Sequence, residues 1–195
     1  MYYKVKVSDR IRVPPSLFGE DLMTAIVKQI KEKYEGMIDK DLGVVIDVSE
    51  VHDVGEGVVI PGDGASYFET CFDLIVFRPE MQEVIEGKIK DIADFGVFMG
   101  IGPIEGMIHI SQTMDDFVNF SKDKVLAGKE SKHVLKVNDK CRARIIAVSF
   151  KDIQNPKIGM TMRQSYLGKL EWIDEEVAKA DSGDEKSKTQ KKAKQ

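Results

Sequence analysis

The sequence predicts a small α+β domain, one helix on an antiparallel sheet, followed by an all-β closed barrel of five strands. Three observations carry this. A single amphipathic run at helical spacing lies in the first half. Arg78-Pro79-Glu80 then interrupts the chain, because Pro79 cannot donate to a ladder and restricts the residue before it. Beyond it come short alternating segments separated by glycine-rich turns, with no amphipathic helix between them.

In the first domain, residues 1–80, residues 2–7 alternate like a strand and Pro14-Pro15 breaks the pattern. Ser16 is a candidate helix start. From Glu20 to Tyr34, the residues Leu22, Met23, Ile26, Val27, Ile30 and Tyr34 fall on one helical stripe. Glu20 and Asp21 suit the first turn, Lys31 and Lys33 the last, and Gly36 suits a left-handed stop. Strands are predicted over 42–54, with Val44, Ile46 and Val48 on one face, then over 58–60. After the Pro61-Gly-Asp-Gly-Ala-Ser66 loop, a long strand is predicted over 67–77.

The second domain, residues 81–175, is predicted to hold strands near 84–92, 95–101, 105–110, 139–149 and 158–163. The polar stretch Thr113 to Asn138 is too long for a plain loop in a compact domain and predicts an elaboration. Tyr166 to Ile173 suggests a short apolar helix carrying Trp172. Residues 176–195 form a Lys-rich tail predicted to be disordered, since Asp181 to Gln195 has five Lys and no large apolar side chain.

The 195 residues suit two modest domains, and 42% apolar content suffices for buried cores. The longest strongly apolar run, Leu74 to Phe77, is far too short to cross a bilayer, and the start has no signal-peptide core. Cys71 and Cys141 lie 70 positions apart with no CxxC spacing. They imply neither a zinc ribbon nor a disulfide framework but two buried thiols in a reducing cytoplasm. Residues 1–80 hold nine Lys/Arg against 15 Asp/Glu, a net of −6, whereas 81–166 hold 13 against 11, a net of +2. A polyanion partner therefore belongs to the second half, and the small excess excludes a DNA-wrapping grip.

Asp94-Phe95-Gly96 spells the kinase magnesium triplet, but no HRD, APE or lysine strand accompanies it. Gly55-Glu-Gly-Val-Val-Ile60 fails as a dinucleotide fingerprint because Ile60 stands at the third glycine position. Asp115, Asp116 and Asp123 read as solvated loop carboxylates rather than a metal site, and neither His52 nor His133 has a catalytic partner. No catalytic site, metal or cofactor is expected. Phe95 and Phe98 are three apart, although strand side chains alternate with a period of two. A bulge or turn at Gly96 would reset the alternation and put both rings on one face. Exposed, they form a stacking platform for unpaired bases, with His109 beside them; buried, they are ordinary core. The residues alone leave both open. Arg142 and Arg144 alternate with Cys141, Ala143 and Ile145, and so face outward to phosphate or simply to water.

Gly87-Lys-Ile-Lys-Asp-Ile-Ala-Asp-Phe-Gly-Val-Phe-Met99 followed by Glu105-Gly-Met-Ile-His-Ile-Ser111 resembles the opening of an S-one type RNA-binding domain. The likeness continues through Val137-Asn-Asp-Lys-Cys-Arg-Ala-Arg-Ile145 to Ile158-Gly-Met-Thr-Met-Arg163. It implies an OB-fold barrel whose RNA face is made by Phe95, Phe98 and His109. That family usually ends its fourth strand with Asp, where Ser149 stands, and follows it with a basic residue, for which Lys157 is the nearest candidate.

Residues 1–175 as a whole, with the Pro-Pro turn, one helix, the Gly-Asp-Gly loop and the ending Thr161-Met-Arg-Gln-Ser-Tyr-Leu-Gly-Lys-Leu-Glu-Trp-Ile173, resemble the E-prime family of archaeal RNA polymerase stalk proteins. The eukaryotic counterpart is the seventh polymerase subunit. The resemblance implies a non-catalytic, cytoplasmic polymerase component that forms a heterodimer with the small helical F protein of the polymerase and docks on the polymerase core. The docking loops would be those of Gly55, Gly57, Gly62, Asp63 and Gly64. It also implies that Phe95, Phe98, His109, Arg142, Arg144 and Lys157 hold single-stranded nascent RNA. The alternative is a free-standing RNA-binding protein of translation or RNA decay built on the same barrel.

Overall fold

The computed structural model describes residues 1–121, 123–150, 152 and 156–178. The predicted Lys-rich tail from residue 179 onward lies outside the described residues. The chain divides into two units, one of Met1–Pro79 and one beginning at Glu80.

In the first unit a four-stranded antiparallel sheet runs in the order β1-β4-β3-β2, from β1 (Tyr2–Val13), β2 (Ile38–Asp39), β3 (Gly43–Val59) and β4 (Ser66–Phe77). Helix α1 spans Leu22–Tyr34, starting with the apolar stripe and two residues inside the predicted run from Glu20, because Asp21 caps it by accepting from the Thr24 N–H at 3.1 Å. Ser16 instead lies in a single 3-10 turn, Pro15–Leu17. The buried stripe of α1 is Ala25, Ile26, Ile30 and Tyr34, whereas Leu22 and Met23 are exposed. Those four pack on Ile11, Val13, Phe72, Leu74 and Val76. Gly36, at φ +75, turns the chain out of the helix as expected.

β3 differs from its prediction. It is one continuous strand, and Val45, Val48, Val51 and Val54 face the helix-side core; of the predicted face Val48 is kept, Val44 is buried outside that cluster, and Ile46 is exposed. Its register against β4 shifts four times, between Val45 and Asp47, Val48 and Glu50, Val51 and Asp53, and Val54 and Gly57. Each extra residue resets the alternation, so every third side chain returns to the core. Gly55 and Gly57 are consequently strand residues, not loop residues. A Cβ on Gly57 would stand 2.7 Å from the Phe68 ring, which explains a glycine there. Gly62, Asp63 and Gly64 do form the β3–β4 loop, with Gly62 at φ +94. Asp63 clasps Arg12 through two hydrogen bonds of 2.8 and 3.0 Å and accepts another from the Tyr67 hydroxyl at 2.7 Å.

The second unit is a closed barrel. β5 (Val84–Ala93), β6 (Gly96–Gly100) and β7 (Glu105–His109) form an antiparallel meander. β7 pairs in parallel with β12 (Lys157–Thr161), β12 pairs with β11 (Lys140–Ser149), and β11 returns to β5. Alternate residues fill the interior: Ile89, Ile92, Val97, Met99, Ile108, Cys141, Ala143, Ile145, Ile158 and Met160 are all buried. Desolvation pushes the Cys141 thiol up to about 12, so it remains an inert core thiol.

The predicted elaboration is a three-stranded sheet of β8 (Val118–Ser121), β9 (Val125–Gly128) and β10 (Val134–Lys136), with β8 at one edge. The terminal helix begins later than expected. Tyr166 takes a positive φ of 61, Gly168–Lys169 form the short strand β13 against β11, and helix follows over 170–178. Trp172 there stacks on His133 at 4.5 Å and 10°.

Two tests follow from this geometry. A Cβ on Gly96 would stand 2.4 Å from the Ile108 carbonyl oxygen, whereas one on Gly19 would meet nothing within 4 Å. Gly96→Ala should therefore cost about 1–3 kcal/mol in urea unfolding, and Gly19→Ala no more than about 0.5 kcal/mol. The second test concerns acid. The Arg12 guanidinium, then the Tyr67 hydroxyl, hold the Asp63 carboxyl well below the usual carboxylate range. A depressed folded pKa means the clasp contributes fully above the unfolded carboxylate value and is lost as pH falls through the folded one. Carboxyl NMR should find Asp63 ionised after ordinary carboxylates have protonated, and Asp63→Asn should remove that part of the acid dependence of stability.

Candidate nucleic-acid interface

Phe95 and Phe98 share the outer side of the barrel. Phe95 is 49% exposed and Phe98 half-buried, with ring centroids 5.9 Å apart and planes at 85°. This edge-to-face contact contributes about 0.5–1.5 kcal/mol and holds the pair in one arrangement. The cause is a turn rather than a bulge at Gly96. Ala93 pairs with Gly96, so Asp94 and Phe95 are the two loop residues of a tight hairpin and Phe95 stands outside the alternation altogether. Gly96 has no positive φ. Its role is steric, since Ile108 crosses where a side chain would be. A bulge does occur opposite, in β5 between Ile89 and Asp91, where Asp91 faces Phe98.

On β7, Met107 pairs with Phe98 and His109 with Gly96, so both lie beside the rings on the same outer face. His109 is exposed. Its Nδ1 accepts from the Ser111 backbone N–H at 3.3 Å and lies 2.9 Å from the Ser111 hydroxyl. In the neutral ring this leaves the proton on Nε2, free to donate to a base or phosphate. Two rings, a thioether and an imidazole donor thus form one surface suited to unpaired bases.

The basic residues are placed differently. Arg142 pairs in register with Glu86, five residues along β5 from Asp91, and donates to its carboxylate at 2.7 and 3.0 Å. Five residues of strand put it about 16 Å from the ring platform along β5. Arg144, opposite Val84, lies farther in the same direction and is half-buried, with its Nε shielded and without a partner among the described residues. Lys157 is exposed and faces Ser149, so the positions of the usual basic residue and the usual Asp oppose each other across β11 and β12.

Two of the three loop carboxylates are engaged, while Asp123 is exposed. Asp115 binds Arg163 at 2.6 and 2.8 Å. Asp116 accepts from the backbones of Ser131, Glu130 and Phe117 and from the Ser131 hydroxyl, and these bonds, led by the Ser131 backbone, hold its pKa low. A group not legible in the sequence is Glu50, His52 and Asp73 on the outer face of the first sheet. The Lys4 ammonium lies 2.8 Å from Asp73 and 3.6 Å from Glu50, and His52 Nε2 lies 2.8 Å from Asp73. A cation of the chain itself already serves those carboxylates. At the first unit's tip, Val58 (61%), Val59 (62%) and Ile60 (48%) are exposed in succession.

Residues 8–64 match the SHS2 domain found in the N terminus of Rpb7p, Rpc25p and MJ0397, and residues 78–149 match the S1 RNA binding domain. The chain is 39% identical over 181 residues to DNA-directed RNA polymerase subunit Rpo7 of Sulfolobus acidocaldarius, covering 92% of this chain and 99% of that one. Against subunit Rpo7 of Saccharolobus solfataricus it is 41% identical over 175 residues, covering 89% and 97%. Against DNA-directed RNA polymerase III subunit RPC8 of Saccharomyces cerevisiae it is 30% identical over 159 residues, covering 79% and 75%. With both domains matched in order and the two Rpo7 relatives spanned almost end to end, the chain belongs to the Rpo7 family of DNA-directed RNA polymerase subunits.

Proposed function

We infer that this chain is a stalk component of a cytoplasmic RNA polymerase. It pairs with the small helical F protein of the polymerase, docks on the core through its first domain and holds emerging single-stranded RNA on its second. The observation that carries the RNA reading is the outer face of Phe95, Phe98 and His109 within the S1 match. Stacking is indifferent to sequence, as a site for any transcript requires. Lys157 serves as a phosphate contact at the rim. Arg142 and Arg144 reach only RNA that continues around the barrel, since register separates them from the rings.

The docking reading rests on Val58, Val59 and Ile60, three consecutive exposed apolar residues leading into the Gly62-Asp63-Gly64 loop. Such a run gains most from burial by a partner. The Asp63 clasp keeps the loop in one shape and lowers the ordering cost of docking. The first unit thus serves as the tip domain.

Two experiments test these readings. Phe95→Ala with Phe98→Ala should weaken binding to short unstructured RNA at least about fivefold, with the thermal transition retained, as read by fluorescence anisotropy. Unchanged affinity would remove the stacking face. The tagged chain recovered from its native cell should bring a small helical partner and the polymerase core, and Val59→Asp should release the core while RNA binding persists. Recovery of the chain alone would favour the free-standing RNA-binding protein.

A further inference from the structure

β8 runs beside the aromatic face and is tied to it at both ends. At one end, Lys124, in the turn after β8, holds a left-handed φ of 56, and its ammonium lies 2.7 Å from Asp91. Asp91 is the residue of β5 directly opposite Phe98. At the other end, Phe117 and Val118 line a cleft of about 480 Å³ together with Ile110 and Ser111. Ser111 is the residue that holds His109 Nδ1. One end of the strand therefore adjoins Phe98 and the other adjoins His109.

Both aromatic residues of this segment are open. Phe117, at 78%, is the most exposed large apolar side chain among the described residues. Its backbone is pinned, with its N–H donated to Asp116 at 2.6 Å and its carbonyl accepting from Lys129 at 2.9 Å, so the ring stands out on a fixed base. Phe120 pairs with Leu126, which is fully buried, and therefore projects from the same side of the small sheet. It is nevertheless 39% exposed. Its place on an edge strand leaves one flank of the ring without a neighbouring strand.

We propose that β8 is the second wall of an RNA groove whose floor is the Phe95–Phe98–His109 face, and that Phe117 and Phe120 take further unpaired bases of the same strand. The inference rests on the RNA reading of that face and extends its footprint to a segment inside the S1 match, residues 78–149. The chemistry is stacking rather than charge. Among the described residues, Lys124 is neutralised by Asp91 and Arg163 by Asp115. Lengthening the RNA should therefore add affinity with little added salt dependence.

The test uses the full chain and oligouridylates of two lengths, a tetramer and a dodecamer, in fluorescence anisotropy at low and high salt. The wild-type chain should gain affinity from the longer RNA. Phe117→Leu with Phe120→Leu keeps apolar volume for the small sheet but removes the π faces, and should cut that gain at least about fivefold at both salt concentrations. Phe117→Ala with Phe120→Ala, checked by circular dichroism, should cut it as much. A gain that survives in the Leu pair, or the absence of any gain in the wild type, overturns the second wall. Tetramer binding that is present and lost on Phe95→Ala with Phe98→Ala shows that the floor stands even then. Binding of neither length to the wild type overturns floor and wall together.

Discussion

The Ile108 carbonyl lies so close to Gly96 that a Cβ there would stand 2.4 Å from it. That approach lets β6 and β7 begin their pairing directly at the hairpin, with Gly96 against His109. It thereby forces the turn onto Asp94 and Phe95 alone. The ring at Phe95 is displaced from the alternation and meets Phe98, while His109 is brought alongside. One missing methyl group thus couples barrel closure to the composition of the outer face. The close spacing is a backbone contact first, and the aromatic face follows from it.

Charge plays a local part in this chain. Arg12, Lys124, Arg142 and Arg163 each meet a carboxylate, on Asp63, Asp91, Glu86 and Asp115. Exposed pairs of this kind contribute little to stability. They do fix where loops and strand ends sit, and they remove free positive charge from the second unit. A face left with so little uncompensated charge offers ligands its aromatic side chains rather than a strong field, in keeping with an excess of only +2 over residues 81–166.

Much of this architecture was legible in the residues, and the exceptions share a cause. Helix α1 follows from its apolar spacing, and the barrel strands follow from alternation between glycine-rich turns. The faces of β3 did not follow, because four bulges hide a period of three within text that alternates by eye. The outward pairing of Phe95 and Phe98 was visible as a spacing. Its origin in a two-residue turn depends on Ile108, twelve residues beyond Gly96 and invisible to any local reading. The Arg12–Asp63 clasp spans 51 positions and the Arg142–Glu86 pair 56, so neither partner announces the other. β8 to β10 are only three or four residues long, too short for periodicity to register.

The irregular β3 has one more effect. β2 covers only Gly43 and Val44, and Val45 bonds to Gly36 and Met37, so from Ile46 to Val59 no strand among the described residues pairs with the outer side of β3. A flat margin of that length, rich in valine, would recruit the same strand from another molecule and grow into a fibre. Four inserted residues coil it and break the even spacing of its amides, which makes it a poor template for a second copy. The bulges thereby guard a valine-rich margin against edge-to-edge pairing.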